Sequence, residues 1–154
     1  MLSIFPFLRK KAIFSQQEND AIVAAIGHAE LQTSAEIRVF VESKCKYVDA
    51  LDRAAEIFQH LKMRETKQFN AVLVYVAKDD HQFAIFADHG IHQALGSQFW
   101  NTEVRNMSRH FKSMSPATAL VEVITEVASA LHAQFPYDPL SDENELPNEI
   151  VFGK

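Results

Sequence analysis

Ala71-Val72-Leu73-Val74-Tyr75-Val76-Ala77 is an unbroken apolar run, rich in β-branched side chains and bounded by Asn70 and Lys78. Such a run predicts a strand covered on both faces, because a solvent-facing side would need polar residues at alternate positions. Five residues, Lys78 to Gln82, separate it from Phe83-Ala84-Ile85-Phe86-Ala87-Asp88, a spacing that fits a β-hairpin. Upstream, Glu36-Ile37-Arg38-Val39-Phe40-Val41-Glu42 alternates, and Ile37, Val39 and Val41 give it one wholly apolar side.

Helical signals fill the remainder. Ser15-Gln16-Gln17-Glu18 is a capping box that opens a helix over residues 16–31. Asp49 is placed to cap a second helix with Leu51, Ala54, Ala55, Phe58 and Leu61 as its stripe. Trp100, Val104, Met107, Phe111 and Met114 form a third apolar seam, which a small domain is expected to bury as core rather than offer to a partner helix. Ser115-Pro116 starts the last helix, whose stripe is Leu120, Ile124, Val127, Ala128, Leu131 and Phe135. The order α-β-α-β-β-α-α, with a right-handed βαβ crossover, predicts a three-layer α/β/α sandwich. Its small mixed sheet comprises a βαβ unit plus a hairpin strand, with helices on both faces. The domain is expected over 15–135, after an apolar and basic extension at 1–14 and before an acidic tail at 136–154.

Composition narrows the function classes. The chain has 154 residues and net charge −5, enough length for one self-sufficient core. Its four glycines never lie closer than six residues apart, so neither of the common glycine phosphate loops can be written and no nucleotide is expected. One cysteine excludes an intrachain disulfide and agrees with a reducing, cytoplasmic setting. Five acids against Lys154 put −4 of the charge in residues 136–154 and leave the rest nearly neutral, with no basic face for nucleic acid. The N-terminal Ile4, Phe5, Phe7 and Leu8 precede Arg9-Lys10-Lys11, the reverse of a secretory signal, and are too few to span a membrane. They pack on the domain or dock shallowly at a membrane surface.

The topology sorts the polar residues into two rims. At the carboxyl ends of the parallel strands stand Glu42, Asp49, Asp52 and the hairpin Asp79-Asp80-His81. Open α/β sheets bind ligands at this end, and a hard cation such as Ca²⁺ takes six to eight oxygens, so Asp79, Asp80, Asp49 and Asp52 are the first candidate ligands. The structural alternative is that Asp79-Asp80 is turn chemistry and Asp49 a helix cap. The opposite rim carries Thr33, Ser34, Glu36, Asn70, Asp88 and His89, where Glu36, Asn70 and Asp88 form a second candidate site. Glu36 and Asp88 there hold a metal or share a proton, or are ion-paired and solvated strand ends. His89 and His92 lack the partners of a zinc site, and Cys45 lacks the arginine of a cysteine-phosphatase loop. No residue is identified as catalytic.

Phe69-Asn70-Ala71-Val72-Leu73-Val74-Tyr75, Asp80-His81-Gln82-Phe83-Ala84-Ile85 and Asp88-His89-Gly90-Ile91-His92 together resemble a TPM domain, in its short soluble bacterial branch. The family is named for a thylakoid-lumen phosphatase of photosystem repair and a receptor accessory protein. Ser34, Glu36, Ile37, Arg38 and Val39 fit its first block, and Gly96, Phe99 and Trp100 its last; Asn144-Glu145-Leu146-Pro147 resembles the branch's ending. Ala35 and Ala71 stand where the family usually has glycine, and His81 where it has arginine. Gly90 is retained and is expected to supply a positive φ after Asp88. The resemblance implies an α/β/α sandwich, a divalent cation with Ca²⁺ favoured over Mg²⁺, and acid phosphatase activity in some members. A non-catalytic module that docks on a membrane protein or another protein is a further expectation.

Overall fold

The computed structural model describes residues 12–140, 146 and 148–153. The sequence of elements is α1 (Gln16–Glu30), β1 (Glu36–Glu42), α2 (Ala50–His60), β2 (Ala71–Ala77), β3 (Gln82–Ala87), α3 (His89–Ser113), α4 (Pro116–Gln134) and β4 (Val151–Phe152). The sheet runs β3-β2-β1-β4, with β1 parallel to β2 and to β4, and β3 antiparallel to β2. The three-layer mixed α/β architecture expected from the sequence is the observed one, and α1 begins with both hydrogen bonds of the Ser15/Glu18 capping box.

Each face of the sheet has its own core. Ile37, Val39 and Val41 join Val72, Val74 and Val76 under α1, α3 and α4, where Ile22, Ile26, Trp100, Met107, Leu120, Ile124 and Leu131 are buried. The other face carries Leu73, Tyr75 and Phe40 under α2, through Ala54, Ile57 and Phe58. Every residue of β1 and β2 is buried, as the apolar run of β2 requires.

Four expectations change. The acidic tail of 136–154 holds a strand: β4 pairs Val151 with Phe40 and Phe152 with Val41, so the sheet extends past the expected domain boundary at 135. Ile13 and Phe14, assigned to the N-terminal extension, pack on the main core, while residues 1–11 lie outside the described part. The stripe of α2 is rotated, since Leu51 is exposed and Ile57 buried in its place. The seam of α3 is rotated as well: Val104 and Met114 are exposed, and Glu103 is buried along with Trp100 and Met107. A kink at Gly96, with φ of 78°, turns α3 between its first turns and this seam.

Glu103 is held between α3 and α4. Its carboxyl hydrogen-bonds Glu126, which in turn binds the His110 imidazole. Burial first, and then the hydrogen bond and charge of Glu126, push Glu103 up to about 7. The folded chain therefore keeps this proton well above the pH at which an unfolded glutamate releases it. Stability should fall as pH rises from about 4.5 towards 7 and level off above. Urea denaturation at pH 5 and pH 8 checks this: Glu103→Gln should lose that part of the pH dependence and be more stable than the parent at pH 8 by about 1–3 kcal/mol.

Candidate functional site

The rim at the carboxyl ends of β1 and β2 is dominated by Glu42. Its carboxylate accepts from Arg53 Nε at 2.9 Å and Nη2 at 3.0 Å, and the Tyr75 hydroxyl donates to it as well. Burial, then the hydrogen bond to Glu42, hold the Tyr75 phenol well above its ordinary range. The bonds to Glu42 raise Arg53 in the same way. This is a closed ion pair whose carboxylate is already engaged, a structural joint between β1, β2 and α2.

The four aspartates expected to ligate a cation here have separate positions. Asp49 caps α2, its carboxylate accepting from Leu51 N–H at 2.9 Å. Asp80 accepts from Cys45 N–H at 2.7 Å and ties the hairpin to the segment after β1. Asp79 is exposed and is fixed through its backbone N–H to Ser43 O at 2.8 Å, and Asp52 is exposed in the first turn of α2. Among the described residues, no three His, Cys, Asp or Glu side chains converge on a point at either rim.

The opposite rim is built differently. Glu36 pairs with Ala71 in the β1–β2 ladder, and Asp88 N–H donates to Ala71 O at 3.0 Å on the other side. Glu36 and Asp88 thus flank Ala71 in one row across the sheet, and all three fall on the α2 face by strand alternation. Asn70 precedes Ala71; its amide donates to Ser34 O at 3.3 Å and its backbone N–H to Thr66 Oγ1 at 3.1 Å. Asp88 caps α3, with Oδ1 accepting from His89 N–H at 2.8 Å and lying 3.2 Å from His89 Nδ1.

Two oxygens at this rim lack a partner among the described residues. Asp88 Oδ2 and Asn70 Oδ1 are buried without a hydrogen bond, on residues 2% and 1% exposed. A buried acceptor left bare carries its desolvation penalty, larger for a carboxylate than for an amide. The backbone leading in is strained too: Phe69 has φ of 50°, a left-handed conformation costly for a bulky side chain. Its ring packs against His89 with centroids 4.5 Å apart.

Gly90 serves this rim by closeness rather than by dihedral. Gly96 has the positive φ among the described glycines, whereas a Cβ on Gly90 would lie 2.4 Å from Gln68 O and 2.6 Å from Phe69 O. The expectation of a positive φ at Gly90 is therefore corrected: the strained loop presses its carbonyls against the start of α3.

The TPM domain family model matches residues 8–130. The chain belongs to the TPM domain family. Among solved structures it is similar to the BA42 protein of the psychrophilic bacterium Bizionia argentinensis, at 39% identity and a TM-score of 0.86, over 94% of this chain and 99% of that one. It also shares its fold with the N-terminal domain of the cg2496 protein of Corynebacterium glutamicum, at 14% identity and a TM-score of 0.55, over 90% and 80% of the two chains. No curated protein matches. Among the described residues of this TPM domain, no helix is long and apolar enough to cross a membrane.

The Glu42 joint carries a clear expectation. Glu42→Gln leaves Arg53 beside a neutral amide and removes one strong acceptor, so urea denaturation should show a loss of about 2–4 kcal/mol. Asp79→Asn, at an exposed turn carboxylate, should change stability by less than about 0.5 kcal/mol in the same assay.

Proposed function

We propose that this TPM domain binds a hard divalent cation, Ca²⁺ ahead of Mg²⁺, at the rim formed by Glu36, Asn70 and Asp88. The observation that carries the reading is the pair of buried, unpartnered oxygens, Asp88 Oδ2 and Asn70 Oδ1. Oxygen donors of mixed charge, one carboxylate and one amide with a second carboxylate in the same row, suit Ca²⁺, which also accepts backbone carbonyls and water. Asp49, Asp80 and Asp88 each accept a backbone N–H, but among the described residues Asp88 alone of the three keeps a buried oxygen without a partner. The hairpin rim of Asp79, Asp80, Asp49 and Asp52 is the competing placement.

Amide shifts on Ca²⁺ titration separate the two. Binding at the proposed rim should move residues 34–36, 68–71 and 88–91. Saturation at a hundredfold excess over Kd should raise stability by about 2.7 kcal/mol. Asp88→Asn should weaken binding by about tenfold or more. Shifts confined to 45–52 and 78–82 would move the site to the hairpin rim, and no shifts at millimolar Ca²⁺ would remove the cation altogether.

Metal-dependent phosphate-ester hydrolysis is the second reading, favoured by one feature of the same rim. His89, an exposed imidazole beside Asp88 and packed against Phe69, is the side chain at this rim that we assign as general acid in this reading. A bound cation would supply polarisation of a phosphoryl oxygen and an acidified water. Turnover of p-nitrophenyl phosphate should then disappear on chelation and fall by about 10²-fold or more in His89→Ala. A rate equal to that of denatured protein from pH 5 to pH 8 rejects the activity and leaves cation binding standing.

A further inference from the structure

At the other end of the sheet from Asp88, a cavity of about 360 Å³ opens between the β2–β3 hairpin, the C-terminal part of α3 and the first residue of α4. That volume lies in the range of small-molecule sites, roughly 300–1,000 Å³. Its walls are largely apolar. Val76 and Phe83 are register partners on the α3 side of the sheet, the Phe83 ring stacks on Phe111 with centroids 5.1 Å apart, and Pro116 also lines the cavity.

Its charged lining has one sign. Lys78 and Lys112 line the cavity with His81, and no carboxylate does. In a chain of net charge −5 this is a local reversal. Among the described residues neither lysine has an acidic partner. Lys78 Nζ donates to the backbone oxygen of Ile13 at 2.7 Å and lies 5.6 Å from the Phe14 ring centroid. The neighbouring acids of the turn are not in the lining: Asp80 is held by Cys45 N–H, and Asp79 is exposed. Pro116 is the first residue of a 19-residue helix, so the positive end of its dipole adds to the same field.

We propose that this pocket binds small amphiphilic monocarboxylates, the hydrocarbon body against Val76, Phe83, Phe111 and Pro116 and the carboxylate between Lys78 and Lys112. The class follows from the chemistry of the lining. A compact anion such as phosphate would leave the stacked rings unfilled, and a neutral hydrocarbon would leave the two lysines without a counter-charge. Octanoate has both parts in one molecule.

The full-length chain titrated with sodium octanoate, sodium acetate and octanol reads the two halves separately. Octanoate should give saturable amide shifts at 76–83 and 108–112. Affinity should increase about fourfold per methylene from butanoate to octanoate, as expected for apolar transfer. Lys112→Gln, on an exposed side chain, should weaken octanoate by about threefold or more and leave octanol unchanged, and adding Lys78→Gln should take the loss to about tenfold or more. Ser108→Trp, which fills the cavity from the helix, should abolish both with an unchanged circular dichroism spectrum. Acetate binding as well as octanoate, octanol matching octanoate, or octanoate shifts outside these segments would each overturn the proposal.

Discussion

The burial of β1 on both faces is the constraint on which the rest of the molecule depends. One side of this strand, Ile37, Val39 and Val41, is apolar, but the other is Glu36, Arg38, Phe40 and Glu42, and all seven residues are buried. An ion taken from water without compensation costs several kcal/mol, so three charges on one strand dictate what can cover them. Glu42 is answered by the guanidinium of Arg53 and the hydroxyl of Tyr75, which fixes the rotation of α2 over the sheet. Arg38 is lowered by burial and partly restored by the charge of Glu149, which gives the C-terminal segment a reason to return. Once there, Val151 and Phe152 complete the sheet edge, and Gly153 N–H donates to Val41 O at 2.8 Å. Helix α2, the C-terminal strand and the sheet edge are thus consequences of one polar strand face.

The two rims divide their acids accordingly. At the Glu42 end, carboxylates are taken up by architecture: an ion pair, a helix cap and a loop tether. At the Glu36–Asp88 end, the architecture uses Asp88 Oδ1 as a cap and leaves Oδ2 bare, with Asn70 Oδ1 also bare. A fold selected only for stability would replace such atoms or cover them with donors. They coincide with a left-handed Phe69 and with backbone pressed against Gly90, which concentrates several unfavourable features in one place.

Much of the scaffold was legible in the sequence because its signals are local. The seven apolar residues of β2, the capping box of α1, Ser115-Pro116 and the stripe of α4 each state their structure within a few residues. The errors share a physical cause, which is partners distant in the chain. The alternation of β1 marks only one of its faces as core, and the cover of the other comes partly from Glu149 to Phe152, more than a hundred residues away. The strand β4 has two residues and no pattern of its own; parallel pairing with an already formed edge makes it a strand. Glu103 breaks the expected seam of α3 because, protonated, it hydrogen-bonds Glu126, itself bound to His110, a pairing invisible in the periodicity of one helix. Of the site, Glu36, Asn70 and Asp88 were legible as a group once the topology was known. The bare oxygens were not, since they are defined by the absence of donors in three dimensions. The lysine-lined pocket was missed because Lys78 and Lys112 lie on different elements, each reading as an ordinary solvated charge.

The two rims are the two ends of the same seven-pair β1–β2 ladder, from Glu36–Ala71 to Glu42–Ala77, and the Glu42 end is closed by the ion pair to Arg53 on α2. The Asp88 rim is bounded by a left-handed Phe69, a helix cap and two buried acceptors with no hydrogen-bond partner among the described residues. Binding there satisfies atoms that already lack partners and displaces no existing hydrogen bond from them. At the Glu42 end, a cation taking the Glu42 carboxylate itself would first have to displace Arg53. Electrostatics alone would place a divalent cation near any of these carboxylates; the cost of breaking existing pairs is the ground on which the rim of Asp88 is proposed.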